Sequence, residues 1–265
     1  MIPSTMTRNK PPKNPFFFLL PPAFWLGVWQ LCAWLVDQKV KGRGNELLLP
    51  YPASVALALL ELGQESGFWM TVFSSLGRIL AGMVLGCLLG MVLAGLTCLS
   101  PLAHALLSPA IKVIRATPVA SFILLVLLWV RRGWVPVVIA ALMVLPVVWA
   151  NLSRGIRETD AQLLELAQAY RFSCWKTFTL VYLPCVRPYF LSALTTSMGL
   201  AWKSGAAAEV LCLPSFSIGT QIYNTKYYLE VPQLFAWTVV IVALSLGMER
   251  LLLFLLSRKN RRWQS

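Results

Sequence analysis

Glu165-Leu-Ala-Gln-Ala-Tyr-Arg171, continued by Ser173-Cys-Trp-Lys-Thr-Phe178 and closed by Leu183-Pro184, is a polar, helix-forming island in a chain that is otherwise almost all apolar. The segment before it, Asn151-Leu-Ser-Arg-Gly-Ile-Arg-Glu-Thr-Asp160, reads as a polar exit from an apolar run. Thr159 and Gln162 have the spacing of a capping box, which predicts a helix beginning at about Asp160. Leu163, Leu164, Leu166, Ala167 and Ala169 give that helix one apolar side, with Glu165 and Gln168 polar. A break is expected at 171–173, where Ser173 can cap a second helix over 174–181. Pro184 should end it, and Pro188 precedes the next apolar run. Two short helices meeting at an angle form a knob that can fill a groove in a partner. In so apolar a chain, such a loop implies contact with something outside the bilayer.

The 265 residues are 58% hydrophobic and only 12% charged, with a mean hydropathy of +0.69. Several runs reach the ~20 apolar residues that cross a bilayer. The composition predicts an all-α polytopic membrane protein with one membrane domain and no separate soluble module. The net charge of +13 could suggest nucleic acid. The basic residues, however, sit in short segments flanking apolar runs, the pattern of a membrane protein's cytoplasmic side. Cys32, Cys87, Cys98, Cys174, Cys185 and Cys212 show no CxxC or paired metal spacing, and most fall in apolar runs, so they read as buried thiols rather than disulfides or metal ligands.

About six spans can be drawn, over residues 16–36, 69–99, 111–130, 134–150, 189–211 and 234–256. The first run is too long for a signal peptide and lacks a small-residue cleavage site, so it reads as a retained span. Fifteen of the 23 Lys and Arg then fall on one side and six on the other, with Arg78 and Lys203 inside spans. That asymmetry places both termini in the cytoplasm. Residues 1–15 become a cytoplasmic tail, 16–256 the transmembrane domain with its loop at about 151–188, and 257–265 a basic cytoplasmic tail.

The second run is long enough to tilt or project beyond a ~30 Å hydrocarbon core. Within it Gly82, Gly86 and Gly90 form a doubled GxxxG ridge that admits a second helix closely, either within the chain or in a second copy. Residues 50–67 read as a short amphipathic helix at the outer interface. Pro118, Pro136 and Pro146 each remove a helix hydrogen bond, as bends that line a path do and as many ordinary membrane helices do.

Arg78, Lys203 and Glu209 fall within spans, where an unpaired charge costs several kcal/mol. An internal Arg–Glu pair holding helices in register is one reading, favoured for Arg78. A path visited by an anion is the other, and Lys203, above the small residues Thr196, Gly199, Ala206 and Ala207, fits either. His104, the sole histidine, falls near a turn between spans. There is no His and carboxylate cluster for metal or intramembrane catalysis and no GxxxxGK[ST] phosphate loop. The chain is not expected to be an enzyme or to bind a cofactor, and any ATP and Mg would be used by a partner.

The residues resemble a permease of the nitrate, sulfonate and taurine class of ATP-binding-cassette importers. The likeness covers about 48–256. It runs through Leu49-Pro50 with Pro52, Ser75-Leu-Gly-Arg78 with Gly82, Ala116-Thr-Pro118, and Gly155-Ile-Arg157. It continues through Leu164-Glu165-Leu-Ala167 with Leu183-Pro184, Gly199-Leu-Ala-Trp202, and Ala207-Ala-Glu209. Arg171 departs from the family, which usually has Gly at that turn.

The resemblance implies a type I importer permease fold, multi-pass in a bacterial cell membrane, working as a homodimer. In the family the loop at 151–188 holds the coupling helix that docks a cytoplasmic ATPase dimer, here through Glu165, Ala167, Gln168, Arg171 and Pro184. An extracytoplasmic binding protein would deliver the solute. Arg78, Pro118, Lys203 and Glu209 are the candidates for the path. A small anion of the sulfonate, taurine or nitrate type is the expected solute, with a thiamine-precursor pyrimidine as the alternative. A passive channel or scaffold and a membrane-embedded enzyme are the readings from other classes.

Overall fold

The computed structural model describes residues 15–39 and 47–261, with side chains described within 20–39 and 47–254. The expected N-terminal tail up to residue 14, Lys41 and Arg43, and residues 262–265 lie outside the described residues. Among the described residues there are eleven α-helices and one π-helical turn, and no strand. They are α1 (Pro15–Lys39), α2 (Pro52–Gln64), α3 (Phe68–Leu99), α4 (Pro101–Ala116), α5 (Val119–Leu127) and α6 (Val135–Arg157). Then follow α7 (Ala161–Ala169), α8 (Cys174–Thr177), α9 (Leu183–Cys212), α10 (Ile218–Tyr227) and α11 (Val231–Arg261).

The core is built on α6, which packs between α3 and α9 along most of its length. The glycine ridge explains how closely it approaches α3. A Cβ added at Gly82 would lie 2.5 Å from the Val137 carbonyl oxygen and 2.7 Å from Ala140 Cβ. At Gly86 it would meet the Ala141 oxygen at 2.6 Å and Val144 Cβ at 2.8 Å, and at Gly90 Val148 Cβ at 2.8 Å. Bare backbone on one helix thus faces backbone on the other, and the packing is intramolecular. Ile79, Met83, Cys87, Val144, Val148 and Trp202 fill the surrounding core.

The same contacts fix direction. Gly82 meets Val137 and Gly90 meets Val148, so α3 and α6 run parallel. The chain must therefore return between them, and it does so through α4 and α5. These two helices are bent by 106° at the break containing Thr117 and Pro118. The span expected over 111–130, with Pro118 as a bend within it, is thus two helices that meet at a sharp break at that proline. Pro118 stands at the N-cap of α5, and proline drives the residue before it out of helical geometry, so Thr117 is extended (ψ 133°).

α9 runs antiparallel to α6, its Tyr189 ring against Gly155 at one end and its Ala208 and Cys212 against Val135 and Ile139 at the other. α11 lies parallel to α3, with Phe68 and Trp237 in ring contact (centroids 5.3 Å apart). α2 and α10 pack at that end, and α7 and α8 sit at the opposite one. α1 touches the remainder through Trp29, whose indole N–H donates to the Pro50 carbonyl (3.1 Å) and whose ring stacks on Phe235.

By length and composition α3, α6 and α11 can cross a membrane, and the α4–α5 pair makes a fourth span if it counts as one. Two helices run past the span ends drawn from the sequence. α6 does not end near 150 but continues through Arg157, because Leu152, Ser153 and Gly155 still bury against their neighbours. α11 stays helical through Arg261, so the boundary drawn at 256 falls inside a helix. All six cysteines are free, with Cys87 and Cys212 buried and Cys32 and Cys174 exposed.

Candidate functional site

The loop between α6 and α9 has a defined shape. Asp160, rather than Thr159, caps α7. Its side chain accepts from the Gln162 backbone N–H at 2.9 Å, while the Thr159 hydroxyl turns back to the Gly155 carbonyl (3.1 Å). Ser173 caps α8 by accepting from the Lys176 N–H at 3.4 Å.

Between the two helices the chain closes a Schellman turn. The Phe172 N–H donates to the Ala167 carbonyl and the Arg171 N–H to the Gln168 carbonyl, each at 2.9 Å. Such a turn needs a left-handed residue, and Arg171 supplies it with φ 52°. Glycine would hold that conformation at less cost.

Pro184 does not end the second helix. α8, a π-helical turn (Phe178–Tyr182) and α9 form one continuous helical path. Proline at 184 has no N–H for the Leu180 carbonyl and its ring crowds that carbonyl. The π turn relieves this, with the Leu183 N–H reaching back to Phe178.

Glu165 and Gln168 are exposed on α7, Ala167 is buried, and Arg171 and Pro184 are exposed. Around them Leu163, Leu166, Tyr170, Trp175 and Phe178 also stand in the open, with Tyr170 71% and Trp175 73% exposed. At the base of the knob the ends of α6 and α9 are in direct contact. The Tyr189 hydroxyl on α9 donates to Glu158 at the end of α6 (2.5 Å), and Arg154 lies 3.7 Å from the same carboxylate. A Cβ at Gly155 would meet the Tyr189 ring at 2.8 Å. His104 lies beside this base, its ring on Trp149 and its Nδ1 3.3 Å from Arg157.

Two of the three charges expected within spans meet at the opposite end of the bundle. Glu209, 1% exposed, accepts from the Ser75 hydroxyl at 2.7 Å and the Gly219 N–H at 3.3 Å, and pairs with Arg78 at 3.4 Å. Gly219 lies directly on Glu209, with no space for a Cβ. Arg78 also donates to the Ser215 carbonyl (2.6 Å) and the Phe216 carbonyl (3.1 Å). The Ser75 oxygen accepts from the Ile218 N–H at 2.9 Å. The clamp joins α3, α9 and the first turn of α10, across a loop in which Leu213 (φ 51°) and Phe216 (φ 48°) are left-handed. Lys203 is not part of it. It is exposed on α9, as Pro118 is at the α4–α5 break.

Ser75 and the Gly155–Tyr189–Glu158 base were not read from the sequence as functional. Ser75 and Arg78 are three apart and so share a helix face, which was a usable signal. The tyrosine contact had none.

The fold is a helical bundle with several apolar helices, an exposed knob between α6 and α9 and an ion pair at the far end, and among the described residues no group of three or more His, Cys, Asp or Glu is placed to hold a metal ion. Residues 82–261 match the family described as "Binding-protein-dependent transport system inner membrane component", and the chain belongs to that family. A putative aliphatic sulfonates transport permease protein of Bacillus subtilis (strain 168) is 27% identical over 262 residues, covering 97% of this chain and 92% of the relative. A taurine transport system permease protein of Escherichia coli (strain K12) is 25% identical over 212 residues, covering 77% of this chain and 76% of its own. Among solved structures, an amino acid ABC transporter crystallised with histidines superposes with a TM-score of 0.58 at 20% identity. That match covers 79% of this chain and 96% of the other.

The chain is thus a non-catalytic, multi-pass permease subunit of an ATP-binding-cassette importer in a bacterial plasma membrane. Family membership implies an ATPase that performs the hydrolysis and a solute-binding protein as partners.

Proposed function

We propose that two copies of this chain form the transmembrane unit of an importer for small organic or inorganic anions, each docking one ATPase subunit through residues 160–178. Glu165 and Gln168 provide the polar contacts of the docking surface and Arg171 its cationic corner, while Ala167 holds the turn. The single observation that supports the coupling role is the exposed knob whose base, at Gly155, Glu158 and Tyr189, joins the ends of α6 and α9. A force on the knob is delivered at once to α6 and α9, the two helices in the most extensive contact with the core. ATP-driven closure of the ATPase pair would then tilt these helices and alternate access from one side to the other.

Both termini lie in the cytoplasm with the knob, and the clamp of Arg78 and Glu209 stabilises the outer mouth. Pro118 sets the bend by which α5 flanks the path. The anionic solute is supported by the sulfonate and taurine systems to which the relatives belong.

Reconstitution with the ATPase and the binding protein tests the proposal. ATP-dependent uptake of a short alkanesulfonate should appear only with all three components present. Uptake without ATP would make the chain a passive channel, and uptake of an uncharged pyrimidine with no sulfonate transport would overturn the anion assignment.

A further inference from the structure

We infer that the uncovered face of α9 is the wall of a hydrated path and that Lys203 is the fixed charge selecting for anions in it. The inference rests on the homodimeric importer reading above and adds to it the residue that sets charge selectivity.

Along α9 one stripe stays exposed at helical spacing: Ser192, Thr196, Leu200, Lys203, Ala207 and Leu211. Its chemistry differs from the other exposed faces of the bundle. α3 presents Val84, Leu88 and Val92, and α11 presents Val242 and Leu246, all suited to lipid. α9 has 30 residues, ample to span a bilayer, yet it is not among the helices apolar enough to cross one.

Depth makes the lysine decisive. Lys203 stands nine residues before Cys212, the last residue of α9. At 1.5 Å per residue that places it about 14 Å below the outer end of the helix, well within a ~30 Å hydrocarbon layer. A cation facing lipid there is costly, and intramembrane charges face a bundle interior or a water-filled cavity. No ion pair with Lys203 exists among the described residues, and the buried carboxylate of Glu209 is already engaged by Ser75, Arg78 and Gly219. Gly199, one turn away, has open space where a Cβ would stand. What covers this face is therefore water shared with a second copy of the chain. Two such faces would place two lysines along one path, a field that admits anions and repels cations.

The test needs no knowledge of the solute. In the full complex with ATPase and binding protein, the six native cysteines are replaced and Ala207→Cys is introduced, four residues from Lys203 on the same face. The labelling probes are an anionic (ethylsulfonate) and a cationic (trimethylammonium) methanethiosulfonate, used both without nucleotide and with ATP and vanadate.

Both probes should react in at least one state, the anionic one faster. Lys203→Met should lower the anionic-to-cationic rate ratio about tenfold, whereas Lys203→Arg should preserve it. With Lys203 intact, raising salt should also compress the ratio, which keeps the test decisive if the Met variant fails to assemble. Leu246→Cys on α11 should stay unlabelled by either probe. No labelling at Ala207→Cys in either state, or a ratio indifferent to both Lys203→Met and salt, would overturn the inference. Loss of ATP-driven uptake with the labelling pattern intact would count against the importer reading instead.

Discussion

Replacing Gly86 by alanine tests the α3–α6 seam with an internal control on the same helix. The new Cβ would stand 2.6 Å from the Ala141 carbonyl oxygen and 2.8 Å from Val144 Cβ. Ordinary contact begins near 3.4 Å, so the two helices would have to separate by roughly 0.6–0.8 Å, and neither obstacle is the end of a flexible side chain. Overpacking of this kind costs about 1–3 kcal/mol. Gly77 and Gly95 lie on the same helix with nothing within 4 Å of a Cβ. Alanine at either should help by up to ~1 kcal/mol, because glycine is the poorer helix former.

The assay is thermal unfolding in detergent of the purified permease carrying each single substitution. Gly86→Ala should lie below the parent and Gly95→Ala at or above it, a gap of about 1–4 kcal/mol. Gly82→Ala should be at least as harmful as Gly86→Ala, and Gly90→Ala milder, following the 2.5, 2.6 and 2.8 Å approaches. Equal behaviour of Gly86→Ala and Gly95→Ala would show that the seam is not packed as described.

Glu165→Lys should leave membrane insertion intact but weaken ATPase association and uptake, since an exposed acidic residue at a docking surface would be turned into a like charge. Unchanged association in a pull-down of the complex would refute the docking role. Arg171→Gly should raise thermal stability by up to ~1 kcal/mol by relieving a left-handed arginine, with Arg171→Ala close to neutral because it keeps the Cβ. Identical melting of the two variants would show that the turn carries no strain, and equal loss of ATPase affinity in both would assign the guanidinium to the interface. Arg78→Ala should destabilise the fold by roughly 3–5 kcal/mol, because it leaves the buried Glu209 carboxylate without its cation and the Ser215 and Phe216 carbonyls without a donor. A wild-type melting curve would remove the clamp from the structure's stabilising contacts.

Much of this fold can be read in the sequence because membrane helices announce themselves by length and apolarity. The close glycine seam was equally open to inspection, since GxxxG needs only spacing, although which helix would fill it was not. Proline was the less readable signal. At Pro118 it breaks a run that hydropathy alone would leave straight, while at Pro184 it leaves the helix continuous by means of a π turn. A missing N–H is one fact with several structural remedies, and tertiary surroundings choose among them. The knob was visible as a polar island, and Arg171 as a residue standing where glycine would be expected. The Tyr189–Gly155 base joins residues 34 positions apart whose identities carry no periodic pattern, so only folding reveals it.

The π turn at Phe178–Tyr182 also has a rotational consequence. A π bulge stores one residue more than an α-helical turn would hold, and each residue advances an α-helix by 100°. Everything before the bulge, including Trp175 and the α7–α8 corner, is therefore phased about 100° away from where an unbroken helix would aim it relative to the Lys203 face of α9. The azimuth of the proposed docking surface would be set by a single stored residue. Deleting Thr179 would turn the knob on its stalk without touching a residue of the knob or of the path, so that contact with the ATPase and solute movement could be thrown out of phase while each remained intact.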